Sequence, residues 1–106
     1  VYRDAFAISQ VMPDDSDAPT VVAAKVANDL LNVEGIRATF VVTEKEGTVY
    51  VSARSVDDVN VQVVMERLGG GGHANVAGAQ LPDETNETAI AKIKELLDTM
   101  YEEGDI

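Results

Sequence analysis

"LGGGGHANVAG", Leu68 to Gly78, is the stretch on which the reading of this 106-residue sequence turns. Four glycines in succession stand directly before His73, the single histidine of the chain. Glycine gives up more conformational freedom on folding than any other residue, roughly 0.5–1 kcal/mol relative to alanine in regular structure, so something must offset a run of four. One glycine is enough to end a helix. The other three let the backbone approach another object closely and turn several N–H groups towards it, an arrangement that holds anionic oxygens. A flexible connection is the bland alternative. A helical pattern directly before the run and an ionisable group directly after it favour a site.

Upstream of the glycines, Val61, Val64, Met65 and Leu68 recur at i, i+3, i+4 and i+7, one apolar stripe of a helix that Gly69 terminates. Asp57, Asp58 or Asn60 can cap its start. Downstream, Val76 to Leu81 reads as a short strand of small residues. Pro82, Asp83 and Thr85 then introduce a last helix with Ala89, Ile90, Ile93, Leu97 and Met100 facing the core.

Further out, Ile36 to Thr43 and Thr48 to Arg54 alternate as strands, joined by a hairpin turn over Glu44 to Gly47. Arg54 falls on the same side as Tyr50 and Ser52. Val1 to Val11 reads as a strand covered on both faces, with Tyr2, Phe6 and Ile8 on one side. A loop over Met12 to Ala18 leads to Pro19 in a first helical turn, with Ser16 or Asp17 as its cap. Val22, Ala23, Val26, Ala27 and Leu30 form that helix's apolar face, and Asn32 to Gly35 ends it. The expected fold class is α/β, a mixed β-sheet covered by helices in the order β-α-β-β-α-β-α, in one pair of layers.

Composition narrows the function classes. At 106 residues and 45% hydrophobic content, one domain with a real core is expected. The absence of cysteine excludes disulfides and thiolate metal sites, and one histidine makes a self-contained zinc site a poor fit. No apolar run is long enough to span a membrane, so no membrane contact by this segment is expected. A sequence that enters at once into a strand pattern reads as a piece of a longer protein. The net charge of −11 opposes a broad polyphosphate-tracking surface.

The glycine run is not a Walker A loop, since no Lys-Ser or Lys-Thr follows. It is not a dinucleotide fingerprint, since it follows a helix rather than a strand. It meets the GXXG of KH modules only trivially. His73 is either a structural histidine or a donor to a phosphate oxygen, and Arg54 either a solvated strand end or a phosphate fork.

Taken together, "SARS" (Ser52 to Ser55) and "VNVQVVMERLGGGGHANVAGAQL" (Val59 to Leu81) resemble the DHHA1 domain of the DHH phosphoesterase family. The likeness is nearest to the branch of membrane-anchored bacterial phosphodiesterases that hydrolyse cyclic di-AMP to a linear dinucleotide. The order of elements matches over nearly the whole chain. The resemblance implies a single DHHA1-like domain over residues 1–106, the C-terminal part of its parent. It implies that Gly69, Gly70, Gly71, Gly72 and His73 face the phosphates of a cyclic dinucleotide or short oligonucleotide. By the same match, Arg54 and Ser55 belong to the substrate-binding edge, and Asn60 is either a further contact or only a helix cap.

In that family two manganese ions (Mn2+) sit in the DHH domain. The D-H-H sequence is absent here, so this chain is expected to bind no metal, to have no catalytic residues of its own and to be inactive alone. The implied partners are the substrate and the DHH domain of the same chain, with a homodimer possible. The implied location is cytoplasmic, under a parent anchored in the bacterial cell membrane. Alternatives are an oligoribonuclease or pyrophosphatase of the same family, or a non-catalytic nucleotide- or RNA-binding module.

Overall fold

The β-branched and aromatic residues of the two central strands make the sheet, and the glycine run extends it. In the computed structural model, which describes residues 5–12 and 18–105, eight elements follow one another. They are β1 (Phe6–Gln10), α1 (Pro19–Leu31), β2 (Ala38–Lys45), β3 (Thr48–Ser55), α2 (Val61–Arg67), β4 (Gly71–His73), β5 (Val76–Pro82) and α3 (Asn86–Glu103). The expected α/β order holds, with β4 added between the second helix and the last strand. The expected strand residues Val1 and Tyr2, and the cap candidates Ser16 and Asp17, lie outside the described residues; Ala18 occupies the N-cap of α1 and Pro19 its first turn.

The five strands form one sheet in the order β1-β2-β3-β5-β4. β1 and β2 are parallel, joined by α1 as a βαβ unit, and every other pair is antiparallel. The β2–β3 turn is tighter than expected. Lys45 already pairs with Thr48, leaving Glu46 (φ 53°) and Gly47 (φ 82°) as a two-residue loop. Positive φ at both positions gives the twist that matches the flanking strands.

The helices lie on both faces of the sheet, so there are three layers rather than two. On one face, α2 and α3 bury Val61, Val64, Met65, Ala89, Ile93, Leu97 and Met100 against Phe6, Phe40, Val42, Val51 and Ala53. On the other, α1 brings Ala23 and Ala27 down on Val41. Two alanines at i and i+4 let that helix sit close, and the buried Thr39 hydroxyl donates to the Ala27 carbonyl at 2.9 Å. Both faces of β2 are therefore buried, which is why Thr39, Val41 and Thr43 are as enclosed as Phe40 and Val42.

Coverage is unequal, and this positions the site. α2 and α3 together reach all five strands, whereas α1 lies across β2 and β3. The α1 face of β5 and β4 is left open.

The α3 ends are set by local chemistry. Thr85 caps the helix through the Thr88 N–H, and Thr88 Oγ1 accepts from the Thr85 N–H at 2.9 Å, a reciprocal pair that satisfies two otherwise orphaned donors. Gly104 (φ 80°) closes the far end. Arg67, at the end of α2, pairs with Glu103 (3.2 Å) and Asp105 (3.0 Å), tying the two helix ends together.

Candidate functional site

Each of the four glycines has its own reason to be there. Gly69 (φ +88°) is the C′ residue of α2, and its N–H donates to the Glu66 carbonyl while the Gly70 N–H donates to the Met65 carbonyl (3.1 and 2.8 Å). These two bonds close the helix as a Schellman motif. The Gly69 bond is the helix end expected from the sequence; the Gly70 N–H, expected to turn outward with the rest of the run, is instead also used in closing the helix.

Gly70 and Gly72 are glycines because β4 presses against β5. A Cβ on Gly70 would lie 2.1 Å from the Gly78 carbonyl oxygen, and one on Gly72 (φ +142°) would lie 2.6 Å from the Val76 oxygen. Strand pairing on one side and helix closure on the other offset the entropy lost by ordering the run. Gly71 differs: its φ is not positive, and an added Cβ would meet nothing within 4 Å.

Strand register brings the charged candidates together. Arg54 pairs with Val76, and Val76 pairs with His73, so Arg54, Val76 and His73 form one row across three strands. Directly paired residues share a face. Arg54 and His73 therefore stand on the same side of the sheet, two strand spacings or about 10 Å apart. That side is the one α1 leaves open. It holds a cleft of about 610 Å³ lined by Arg54, Gly69 to Gly72, His73, Val76 and Gly78, with Thr20 and Ala24 of α1 forming a wall.

Arg54 is half-buried, and burial pulls its guanidinium below the usual arginine range. It remains a cation at neutral pH. Its Nη1 donates to the Ala53 carbonyl (2.8 Å) and reaches towards that of Ala77 (3.5 Å), which orients the group without neutralising it. Among the described residues no carboxylate pairs with it, in contrast to Arg37 with Asp58 and Lys92 with Glu84. His73 is exposed on the edge strand.

Ser55 and Asn60 are not brought into this cleft. Ser55 follows Arg54 on the same strand and so points to the opposite face. Its hydroxyl donates to the Val59 carbonyl (2.6 Å) and accepts from the Asn75 side chain (2.9 Å). Asn60 is the N-cap of α2, its Oδ1 accepting from the Val63 N–H at 3.3 Å. Both residues position the site instead of contacting it.

Asn75, not singled out in the sequence, completes that support. Its Nδ2 also lies 3.3 Å from the Asp57 and Val59 carbonyls, and its own carbonyl accepts from the Ser55 N–H at 3.0 Å. The neighbouring Ala74 carbonyl accepts from Val61 N–H at 2.8 Å. The turn that follows His73 is therefore stapled to the end of β3 and to the start of α2. Asn75→Ala is expected to cost about 1 kcal/mol, read as a fall in Tm on the order of 4–8 °C. Asn75→Asp should give no rescue, because a carboxylate has no N–H to donate. Wild-type stability in the aspartate variant would rule out the staple.

A glycine-floored cleft with an arginine and a histidine on one rim defines an α/β module suited to an anionic ligand. The chain belongs to the DHHA1 domain family, which matches residues 3–101. It is 48% identical over 85 residues to the cyclic-di-AMP phosphodiesterase GdpP of Geobacillus thermodenitrificans, covering 79% of this chain and 13% of that protein. It is 39% identical over 102 residues to the cyclic-di-AMP phosphodiesterase PdeA of Listeria monocytogenes, covering 95% of this chain and 15% of the relative. The chain thus spans only a small part of the length of these curated relatives. Among solved structures, an exopolyphosphatase-related protein from Bacteroides fragilis superposes with a TM-score of 0.76 at 20% identity, over 94% of this chain and 31% of that one. That likeness concerns the fold.

Proposed function

We infer that this chain is the substrate-gripping domain of a DHH-type phosphodiesterase that opens cyclic di-AMP to a linear dinucleotide. The observation that carries the reading is the row Arg54–Val76–His73 on the open face of the sheet, beside a floor of glycine. An uncompensated guanidinium and an imidazole two strands apart suit a phosphodiester better than a neutral ligand. Identity to two cyclic-di-AMP phosphodiesterases supports the substrate class.

Among the described residues no group of three or more His, Cys, Asp or Glu side chains converges, so these residues do not fit a manganese site. In this reading the two manganese ions belong to the DHH domain of the same parent. The present chain binds the phosphate, neutralises its charge and fixes its orientation, contributions that make up much of phosphoryl-transfer catalysis. No helix among the described residues is long and apolar enough to cross a membrane; the membrane anchor, in the same reading, is another part of the parent.

The test is kinetic and uses the intact enzyme. Arg54→Ala and His73→Ala should each lower kcat/KM by about 10- to 100-fold, as expected for a lost charge-assisted hydrogen bond of roughly 1.5–3 kcal/mol. Manganese content should not change. Wild-type kinetics in both variants would defeat the proposal.

A further inference from the structure

The glycine run starts where α2 stops, so the end of that helix sets where the run begins. α2 has only seven residues, and so short a helix takes its position from its surroundings. Its start is pinned by directional bonds: Asn60 caps it, and the Val61 N–H donates to the Ala74 carbonyl at 2.8 Å. Its end rests on the buried Met65 and the half-buried Leu68. Apolar contacts are non-directional and leave a helix end free to slide or tilt. Between this end, β5 and α3 lies a second cleft of about 390 Å³, with Leu68, Leu81 and Leu96 in its lining.

Arg67 crosses from α2 to the far end of α3. There the Gly104 N–H donates to the Tyr101 carbonyl at 3.2 Å and the Asp105 N–H to that of Met100 at 2.8 Å, so the closing turn is itself held by hydrogen bonds. Glu103 and Asp105 stand on either side of its glycine. The last turn of α3 contains no basic residue, although it ends at the negative pole of the helix dipole. α2 supplies the missing cation. Arg67 Nη1 donates to Glu103 Oε1 and Nη2 to Asp105 Oδ2, one nitrogen to each carboxylate. A planar fork held at two points fixes a direction that apolar packing leaves open. All three side chains are partly exposed, so the group contributes little to global stability.

We propose that Arg67 is a positioning residue for the row Arg54–Val76–His73. It clamps the end of α2 to the closing turn of α3, and so holds Gly69 and Gly70 where β4 can pair with β5 and His73 stands level with Arg54. This rests on the phosphate-binding reading above. Arg67 is not among the residues that line the glycine-floored cleft, and acts through the main chain that follows it. A displacement of about 1 Å at a group that orients substrate is enough to be felt in the kinetics.

The experiment measures cyclic di-AMP hydrolysis by the intact enzyme. Arg67→Met keeps the apolar stem and removes the guanidinium. Glu103→Gln combined with Asp105→Asn opens the clamp from the other side and leaves Arg67 on its own helix. Each should raise KM about three- to fivefold, with kcat changed by less than about twofold and Tm within a few degrees of wild type. Hydrogen exchange at the Gly69 and Gly70 amides should quicken in both. A long-range charge effect on an anionic substrate would move KM in opposite directions, since one variant loses a positive charge and the other loses two negative ones. Arg67→Glu should raise KM about tenfold, and adding Glu103→Arg should restore most of the loss. A rise in KM confined to Arg67→Met would reduce the arginine to a partner of its own helix dipole and overturn the clamp, as would no recovery in the exchanged pair. Wild-type KM in both clamp variants, with Arg54→Ala impaired, would overturn the positioning role and leave the phosphate reading standing. Wild-type kinetics in Arg54→Ala and His73→Ala would remove the phosphate reading, and the positioning role with it.

Discussion

Phe40→Ala is expected to destabilise the protein by about 4 kcal/mol, a fall in Tm on the order of 20 °C. Phe40 is fully buried at the centre of β2, on the face covered by α2 and α3. Truncation leaves a cavity enclosed by residues from several elements, and such a site cannot collapse to fill it. Part of the loss is specific to the ring. Phe40 meets Phe6 edge-to-face, with centroids 6.3 Å apart and planes at 77°, which joins the parallel strand β1 to the hairpin. A double-mutant cycle with Phe6→Ala should give a coupling of about 1 kcal/mol. Additive losses would mean that the two rings contribute only buried area. The cleft lies on the other face of the sheet, so ligand affinity measured well below the lowered Tm should match wild type. Stability and binding are thus divided between the two faces. The fully covered side holds the fold together, and the partly covered side is free to hold a ligand.

Much of this division can be read from the sequence, and the remainder is lost for identifiable reasons. The 3.6-residue spacing of Val61, Val64, Met65 and Leu68 gave α2, and Gly69 ended it where expected. The alternation through β2 and β3 gave the central hairpin. It did not show that both sides of β2 are buried, because a helix of small residues such as Ala23 and Ala27 covers a strand without an obvious partner pattern. Strand β4 was hidden for the opposite reason: two of its three residues are glycines, and alternation has nothing to act on there. Its pairing is decided by how closely the backbone of β5 approaches. The one cue was Gly78, an isolated glycine inside a strand, which often marks such an approach.

Among the candidate site residues, the opposition of Ser55 to Arg54 was already implicit in strand alternation, since neighbours on a strand face opposite ways. The meeting of Arg54 with His73 was not. It depends on the register Arg54–Val76–His73, and that register exists only once β4 is recognised. Asn75 carried no periodic or compositional signal. Its importance comes from three acceptors that the fold collects around one amide.

The glycine run itself supplies the sharpest test of these assignments, because adjacent positions should respond in opposite ways. Gly70→Ala is expected to cost about 3 kcal/mol, the upper range for forcing extra volume into a packed site. Its methyl group would stand 2.1 Å from the Gly78 oxygen and 2.7 Å from the Ala79 Cα, both backbone atoms that can give way only if β4 parts from β5. The fall in Tm should be on the order of 12 °C or more. Losing the β4–β5 pairing would also carry His73 away from the Arg54 row, so ligand affinity should fall even at temperatures where the core remains folded. Gly71→Ala, one residue along, should leave Tm within a few degrees of wild type, since its methyl group would meet no atom within 4 Å. It should even gain a little from a stiffer unfolded chain, about 0.4–1 kcal/mol. Measured side by side, a large loss at Gly70 with none at Gly71 means that one glycine serves the strand pairing and the other the cleft. Equal losses at both would return the whole run to a structural role.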